Sequence, residues 1–432
     1  MIQPVHNVGS FKALLPLFIF VFTFLGVGIY QNDFYALPSP IAVFIGLLAA
    51  FLLFKQQTSL KIATFLKGCG DDKIMTMCII YLLAGAFATV TKATGSVDDI
   101  VNLGLTYIAI EYIYLGIFII ASFLSISTGT SVGAIVALAP IVVSIADKSG
   151  VSLSILCGSL LGGAMFGDNL SIISDTTIAA TQSLGCKMSD KFKQNIKIAL
   201  PAAIITVAIL FFQGLSITNT TVIAGESYSM LKITPYLLVI ILSIIGVNVF
   251  IVLFFGILFT GVIGLLHQDF SILEFTKISY QGFTSMTEIF LLSMLTGGLA
   301  ALVTLNGGIN YILRKVANFI TTKRSAQFGI AALVGTVNAA IANNTVSIII
   351  TGPIAKTIND EFKLDPRQSA SILDIFACII QGILPYGAQV LMILSFADGA
   401  IHYVDLLLNT WYLLLLFVLT ISWIYFVKTS RR

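Results

Sequence analysis

Residues 167–177 read GDNLSIISDTT and place two aspartates, an asparagine, two serines and two threonines in a chain otherwise rich in Leu, Ile, Val, Phe and Ala. Such a stretch is suited to a hard cation. A dehydrated Na⁺ needs several oxygen ligands, and a broken helix offers free carbonyls beside Asp, Asn, Ser and Thr side chains. The expected ligands are Asp168 and Asp175, supported by Asn169, Ser171, Ser174, Thr176 and Thr177. A carboxylate deep in a bilayer costs ~2.5–3.5 kcal/mol on insertion scales, which argues for a function. Burial raises a carboxyl pKa and a bound cation lowers it, so one aspartate can hold H⁺ and Na⁺ in turn. The competing reading is structural, with the aspartates capping helix ends; the SDTT setting of Asp175 resembles an N-cap opening a helix at Thr176.

Three further polar interruptions lie in apolar surroundings. STGTS (127–131) begins one segment and contributes Thr128 and Thr130; ANNTVS (342–347) opens another with Asn343, Asn344 and Thr345. GILPYGAQ (382–389) breaks a third at Pro385 and Gly387 and supplies Gln389. Non-helical backbone at membrane depth is tolerated only where it is buried in protein or lines a watery cavity. These interruptions are therefore expected to face one another. Glu288, Asp374 and Gln381 are candidates for a proton or path role, weighed against interfacial placement or plain helix–helix hydrogen bonding. Glu111, among tyrosines, reads as part of an aromatic interface belt, and Lys92 as a snorkelling side chain.

The elements that must position these residues follow from composition. Hydrophobic residues make up 57% and charged residues 10%, with a mean hydropathy of +1.00, whereas soluble domains carry roughly 25% charged residues. The fold class is an all-α polytopic membrane protein with about 11–14 transmembrane segments. A net charge of +3 with dispersed cations gives nucleic acid binding no support. The five cysteines and three histidines show no metal-ligand spacing, so no resident cofactor and no metal enzyme are expected. The N-terminus reads as a first span and not as a removed signal.

Lys and Arg mark cytoplasmic loops. Lys55, Lys61, Lys67 and Lys73, then Lys187, Lys191, Lys193 and Lys197, then Arg314, Lys315, Lys323 and Arg324, and finally Lys428, Arg431 and Arg432 are assigned inside. Asp33, Asp98, Asp99 and Glu226 fall outside, and both termini are expected in the cytoplasm.

An internal echo organises the chain. GAFATVTKATGSVDDIV from Gly85 aligns without gaps on GGLAALVTLNGGINYIL from Gly297, matching Gly95 with Gly307, Val97 with Ile309 and Ile100 with Ile312. Pro140 and Pro353 stand at nearly the same separation. The segment after the first copy is acidic and that after the second is basic, so the copies are expected to enter the membrane in opposite directions. This is the two inverted-topology repeat design of secondary transporters, with broken helices meeting near the midplane. The expected organisation is an N-terminal two-span segment (1–73), a first repeat (74–197), connecting spans (198–284), a second repeat (285–397) and a C-terminal span and tail (398–432). The apolar run 236–266 is expected to break near 246–248.

The string at Gly167, Asp168, Ser171, Ser174, Asp175, Thr176 and Thr177 resembles the signature of NhaC-type Na⁺/H⁺ antiporters, members of the ion transporter superfamily. The resemblance implies Na⁺/H⁺ exchange by alternating access in a bacterial cytoplasmic membrane, with the lipid bilayer, Na⁺ and H⁺ as partners and a homo-oligomer left open. Two positions depart from the pattern: Asn169 stands where Lys is usual, and Ile172 where Pro is usual. The loss of that lysine is expected to remove a built-in counter-charge. Family members that exchange malate or lactate, and a branch labelled as tetracycline efflux, make coupled antiport of an organic anion or drug the alternative cargo. An intramembrane aspartyl protease is disfavoured because both aspartates lie in one segment, and a passive channel would be distinguished by its currents.

Overall fold

The computed structural model describes residues 9–31, 37–172, 174–217 and 227–426, which form helices and short connections without a strand. The orientation markers Asp33, Glu226, Lys428, Arg431 and Arg432, with both chain ends, lie outside the described residues. The first series of helices runs α1 (Leu15–Gln31), α2 (Ser39–Leu53), α3 (Thr58–Cys69), α4 (Asp72–Ala93), α5 (Ser96–Tyr107), α6 (Ile113–Thr128), α7 (Ser131–Ser149), α8 (Leu153–Leu170), α9 (Asp175–Leu184) and α10 (Met188–Leu215). The second runs α11 (Met230–Ile244), α12 (Val249–Leu266), α13 (Ile272–Ser285), α14 (Thr287–Leu305), α15 (Gly308–Ala317), α16 (Lys323–Ile341), α17 (Asn344–Glu361), α18 (Pro366–Ile383), α19 (Ala388–Ala397), α20 (Tyr403–Asn409) and α21 (Trp411–Phe426).

Nine stretches of the described residues are long and apolar enough to cross a membrane, or ten when α20 and α21, bent by 57°, count as one span. The shorter apolar helices α2 and α11 stand beside them. The run 236–266 divides where expected: Gly246 adopts φ +81°, and the Asn248 side chain caps α12 by accepting from the Phe250 N–H.

The sequence echo is an echo of structure. Gly95 and Gly307, with φ of 76° and 80°, lead into α5 and α15 in the left-handed conformation that glycine adopts without steric cost. Val97 and Ile309 then turn inward and are buried. A side chain at position 85 of α4 would collide with the Gly282 carbonyl of α13; one at position 297 of α14 would collide with the Gly68 carbonyl of α3. Small residues allow such close backbone crossings in membranes. The packing is exchanged between series: α2 and α3 lie on α14, and α12 and α13 lie on α4.

Each series also holds a helical hairpin against a broken helix. Contacts advance together along α6 and α8: a side chain at Gly163 would meet the Phe118 carbonyl, one at Gly167 the Ser122 carbonyl, and the Ser171 hydroxyl donates to the Ile126 carbonyl at 3.0 Å. The two helices are therefore parallel, and α7 returns between them. In the second series Asn338 Nδ2 donates to the Ala377 carbonyl at 2.7 Å and Gln381 Nε2 to the Ala342 carbonyl at 3.2 Å, which makes α16 and α18 parallel. Each hairpin turn thus lies at the depth of its neighbouring break. The return helices cross over, α7 packing on α19 and α17 on α9, while α8 meets α18. All four interruptions converge.

Candidate functional site

The two breaks are conformational twins. α8 ends at Ser171 with φ −66° and ψ 132°, and α18 ends at Leu384 with φ −70° and ψ 125°. Ser174 (φ −67°, ψ 146°) precedes α9 and Gly387 (φ −74°, ψ 143°) precedes α19. The turns match as well: Gly129 and Ala342 are left-handed, and Thr130 and Asn343 are extended.

Asp168 sits one turn before the end of α8 and is buried. Its Oδ2 accepts from the Ser131 hydroxyl at 3.0 Å, at the first residue of α7. Ser131 Oγ accepts from Gln389 Nε2 at 3.0 Å, and Gln389 Oε1 accepts from Gln381 Nε2 at 3.1 Å. Gln381 Nε2 also reaches the Ala342 carbonyl. One chain of hydrogen bonds therefore links both breaks and both turns. Among the described residues nothing bonds to Asp168 Oδ1, and no cation pairs with this carboxylate.

A second polar centre is built around Asn169, the next residue of α8. Lys191 of α10 is fully buried, and its ammonium stands 2.7 Å from Asp374 Oδ2 of α18, itself fully buried. The same ammonium donates to the Asn169 carbonyl at 3.1 Å and to Thr177 Oγ1 at 2.7 Å. Asn195 Nδ2 braces the arrangement by donating to both the Asn169 carbonyl and Asp374 Oδ2, each at 2.8 Å, and the Ser371 hydroxyl donates to Asn195 Oδ1 at 2.6 Å. Asn169 Nδ2 donates to the Tyr412 hydroxyl at 3.2 Å. The charges of Lys191 and Asp374 both act on Asp168.

Lys191 is thus no loop cation. It stands among the lysines that mark a cytoplasmic loop, yet α10 turns it inward with Asn195, four residues on, followed by Ala199 and Ala202 on the same buried face. That spacing is the signal that would have found it. The buried cation of this region comes from α10, and it pairs with Asp374 and not with Asp168.

The remaining candidates divide by position. Ser174 caps α9 by accepting from the Thr177 N–H, and its hydroxyl meets those of Thr176 and Thr177; Thr177 Oγ1 donates to the Ser171 carbonyl. Asp175, the first residue of α9, is 60% exposed and pairs with Lys73 at 2.6 Å, away from the buried network. The cap is Ser174, and the helix opens at Asp175, one residue before the expected Thr176. Thr128 and Thr130 bond to each other across the first turn. Asn343 caps α17 by accepting from the Val346 N–H, and Asn344 Oδ1 accepts from the Thr345 N–H. Glu288 stands in the first turn of α14, where Oε1 accepts from the Ser39 N–H and hydroxyl at 3.0 Å each, capping α2.

Glu288 also lines a cavity of about 940 Å³, with Lys92, Asp98, Asp147, His402 and Pro385 on its walls. The cavity therefore touches the second break. Among the described residues no group of three His, Cys, Asp or Glu could hold a metal ion.

A family model described as the Na⁺/H⁺ antiporter family matches residues 10–215 and again 213–430. The chain belongs to the Na⁺/H⁺ antiporter family. Within this family it is similar to an uncharacterized Na⁺/H⁺ antiporter of Haemophilus influenzae, 23% identical over 88% of each chain. It is 26% identical to the malate-2H⁺/Na⁺-lactate antiporter of Bacillus subtilis over 86% of each chain. It is also 23% identical to the Na⁺/H⁺ antiporter NhaC of B. subtilis, covering 74% of this chain and 77% of the relative. The NhaC-type resemblance of the 167–177 string thus extends over most of the antiporter's length.

Proposed function

We propose that this antiporter exchanges Na⁺ for H⁺ by alternating access, with Asp168 holding the two ions in turn. The observation that carries the assignment is a buried, cation-free carboxylate at the point where hydrogen bonds join both breaks and both turns. Na⁺ would be held by Asp168 and by oxygens at the interrupted helices; H⁺ would occupy the same carboxyl. Because a proton and Na⁺ compete for one carboxylate, either can be carried but not both. Family membership supports the ions, and the matched backbone of the two series supports inverted repeats rocking about the centre. Lys and Arg placement supports cytoplasmic termini, and the bacterial relatives support a bacterial cytoplasmic membrane.

Everted vesicles carrying the protein, challenged with Na⁺ and other cations against a pH gradient, test the reading. Collapse of the gradient by Na⁺ that vanishes in Asp168→Asn supports it; exchange independent of Na⁺ rejects it. One observation favours a second cargo: the cavity at Pro385 is far larger than a sodium ion, and its walls carry charges of both signs, Lys92 and Lys148 among Asp98, Asp147, Glu288 and Asp398. Malate and lactate arms in the same assay separate anion-coupled transport from simple cation exchange.

A further inference from the structure

We infer that Lys191 is a built-in cation that holds the buried site to one exchangeable cation at a time. The inference rests on the reading of Asp168 as the carrier and adds a stoichiometric constraint to it. Among the described residues the buried charged side chains are Lys61, Asp168, Lys191 and Asp374. Lys61 stands apart, donating to the Phe51 and Phe54 carbonyls at the end of α2. The other three belong to one network, since Lys191 pairs with Asp374 and holds the carbonyl of Asn169, the residue after Asp168.

Two carboxylates and one ammonium leave a single negative charge. An uncompensated charge in a protein interior costs several kcal/mol, so the network favours the states that carry one more cation. A proton on Asp168 gives such a state, and Na⁺ beside ionised Asp168 gives another. The empty state and the doubly filled state each carry a net charge and are disfavoured. Asp175 is left out of this count because it is exposed and paired with Lys73, and its charge acts on Asp168 more weakly than those of Asp374 and Lys191. Three acceptors of the two connected centres are buried and make no hydrogen bond: Asp374 Oδ1, Asn169 Oδ1 and Gln381 Oε1. Lys191 itself is fixed by three oxygens and does not travel.

Charge arithmetic separates this role from a packing role. Lys191→Gln leaves two carboxylates and calls for two mobile cations. Asp374→Asn leaves Asp168 and Lys191, which cancel, and calls for none. The double variant Lys191→Gln/Asp374→Asn restores one, and neutral replacement of a buried ion pair at similar volume is commonly tolerated.

The test is radiosodium binding to the purified full-length protein, with vesicle exchange measured in parallel. Expected are a hyperbolic Na⁺ dependence for the unaltered chain, sigmoidal binding with twice the Na⁺ per chain for Lys191→Gln, loss of Na⁺ binding for Asp374→Asn, and a return to hyperbolic single-ion binding in the double variant. If Lys191→Gln does not fold, the double variant still decides. A double variant no better than Asp374→Asn, or one that loses its monodisperse peak in size-exclusion chromatography, overturns the inference by making the pair a packing element. Failure of the carrier reading is seen separately, as Na⁺ binding and exchange that persist in Asp168→Asn.

Discussion

Asp168 and Gln381 occupy the same place in the two series, each three residues before the extended residue that ends a broken helix. Backbone angles at the two breaks agree closely, and each side chain bonds to the hairpin turn or helix start beside it. Only one carries charge. Two breaks of matching backbone thus build the centre, with a carboxylate on one side and, on the other, amides that hydrogen-bond toward it through Ser131. A second aspartate of the same motif, Asp175, sharpens the point: seven residues away, it lies at the surface in an ion pair.

Making the two halves alike is the most damaging change. Asp168→Asn should lower Na⁺-driven collapse of a pH gradient in everted vesicles by about 100-fold or more, the scale of losing a proton-transfer group, while the protein inserts normally. Next comes the wall that sets Asp168 at its depth. Gly167→Leu would drive a side chain into Ser125 and the Ser122 carbonyl, and overpacking of ~1–3 kcal/mol or more should appear as a lower yield of folded protein and a lower unfolding temperature in detergent. Ser131→Ala removes the one hydrogen bond to Asp168 and the link to Gln389. At ~1 kcal/mol this should raise the Na⁺ concentration for half-maximal exchange by about 5-fold. The smallest effect belongs to Asp175→Asn: an exposed ion pair contributes ~0–1 kcal/mol, so exchange should change by no more than about 2-fold. A large loss in Asp175→Asn would erase the contrast between the two aspartates.

Much of this was legible in the residues. Apolar runs gave the helices, Gly85 with Gly297 and Gly95 with Gly307 gave the duplication, and polar residues in apolar surroundings gave Asp168, Gln381 and Gln389. What stayed hidden has physical reasons. Asp175 and Asp168 share a motif, and only the helix restart at Ser174 decides that one faces outward. Lys191 was masked by Lys187, Lys193 and Lys197, because a positive cluster reads as a solvated loop until helical phase separates its faces. Ser371 and Asn195 are ordinary residues whose role depends on a partner from the other half. The exchanged packing of α3 and α13 has no local signature, since each glycine crossing is written in two distant places.

That exchange bears on how the chain is made. Gly85 of α4 is covered by α13, which is translated almost two hundred residues later, and Gly68 of α3 waits for α14. A nascent chain halted after α10 would hold α4 with its α12 and α13 surface bare, α3 without α14, and α2 resting on α1 alone. The halves are therefore not independent folding units, and the membrane must retain the early helices, loosely assembled, until the ribosome has delivered their counterparts.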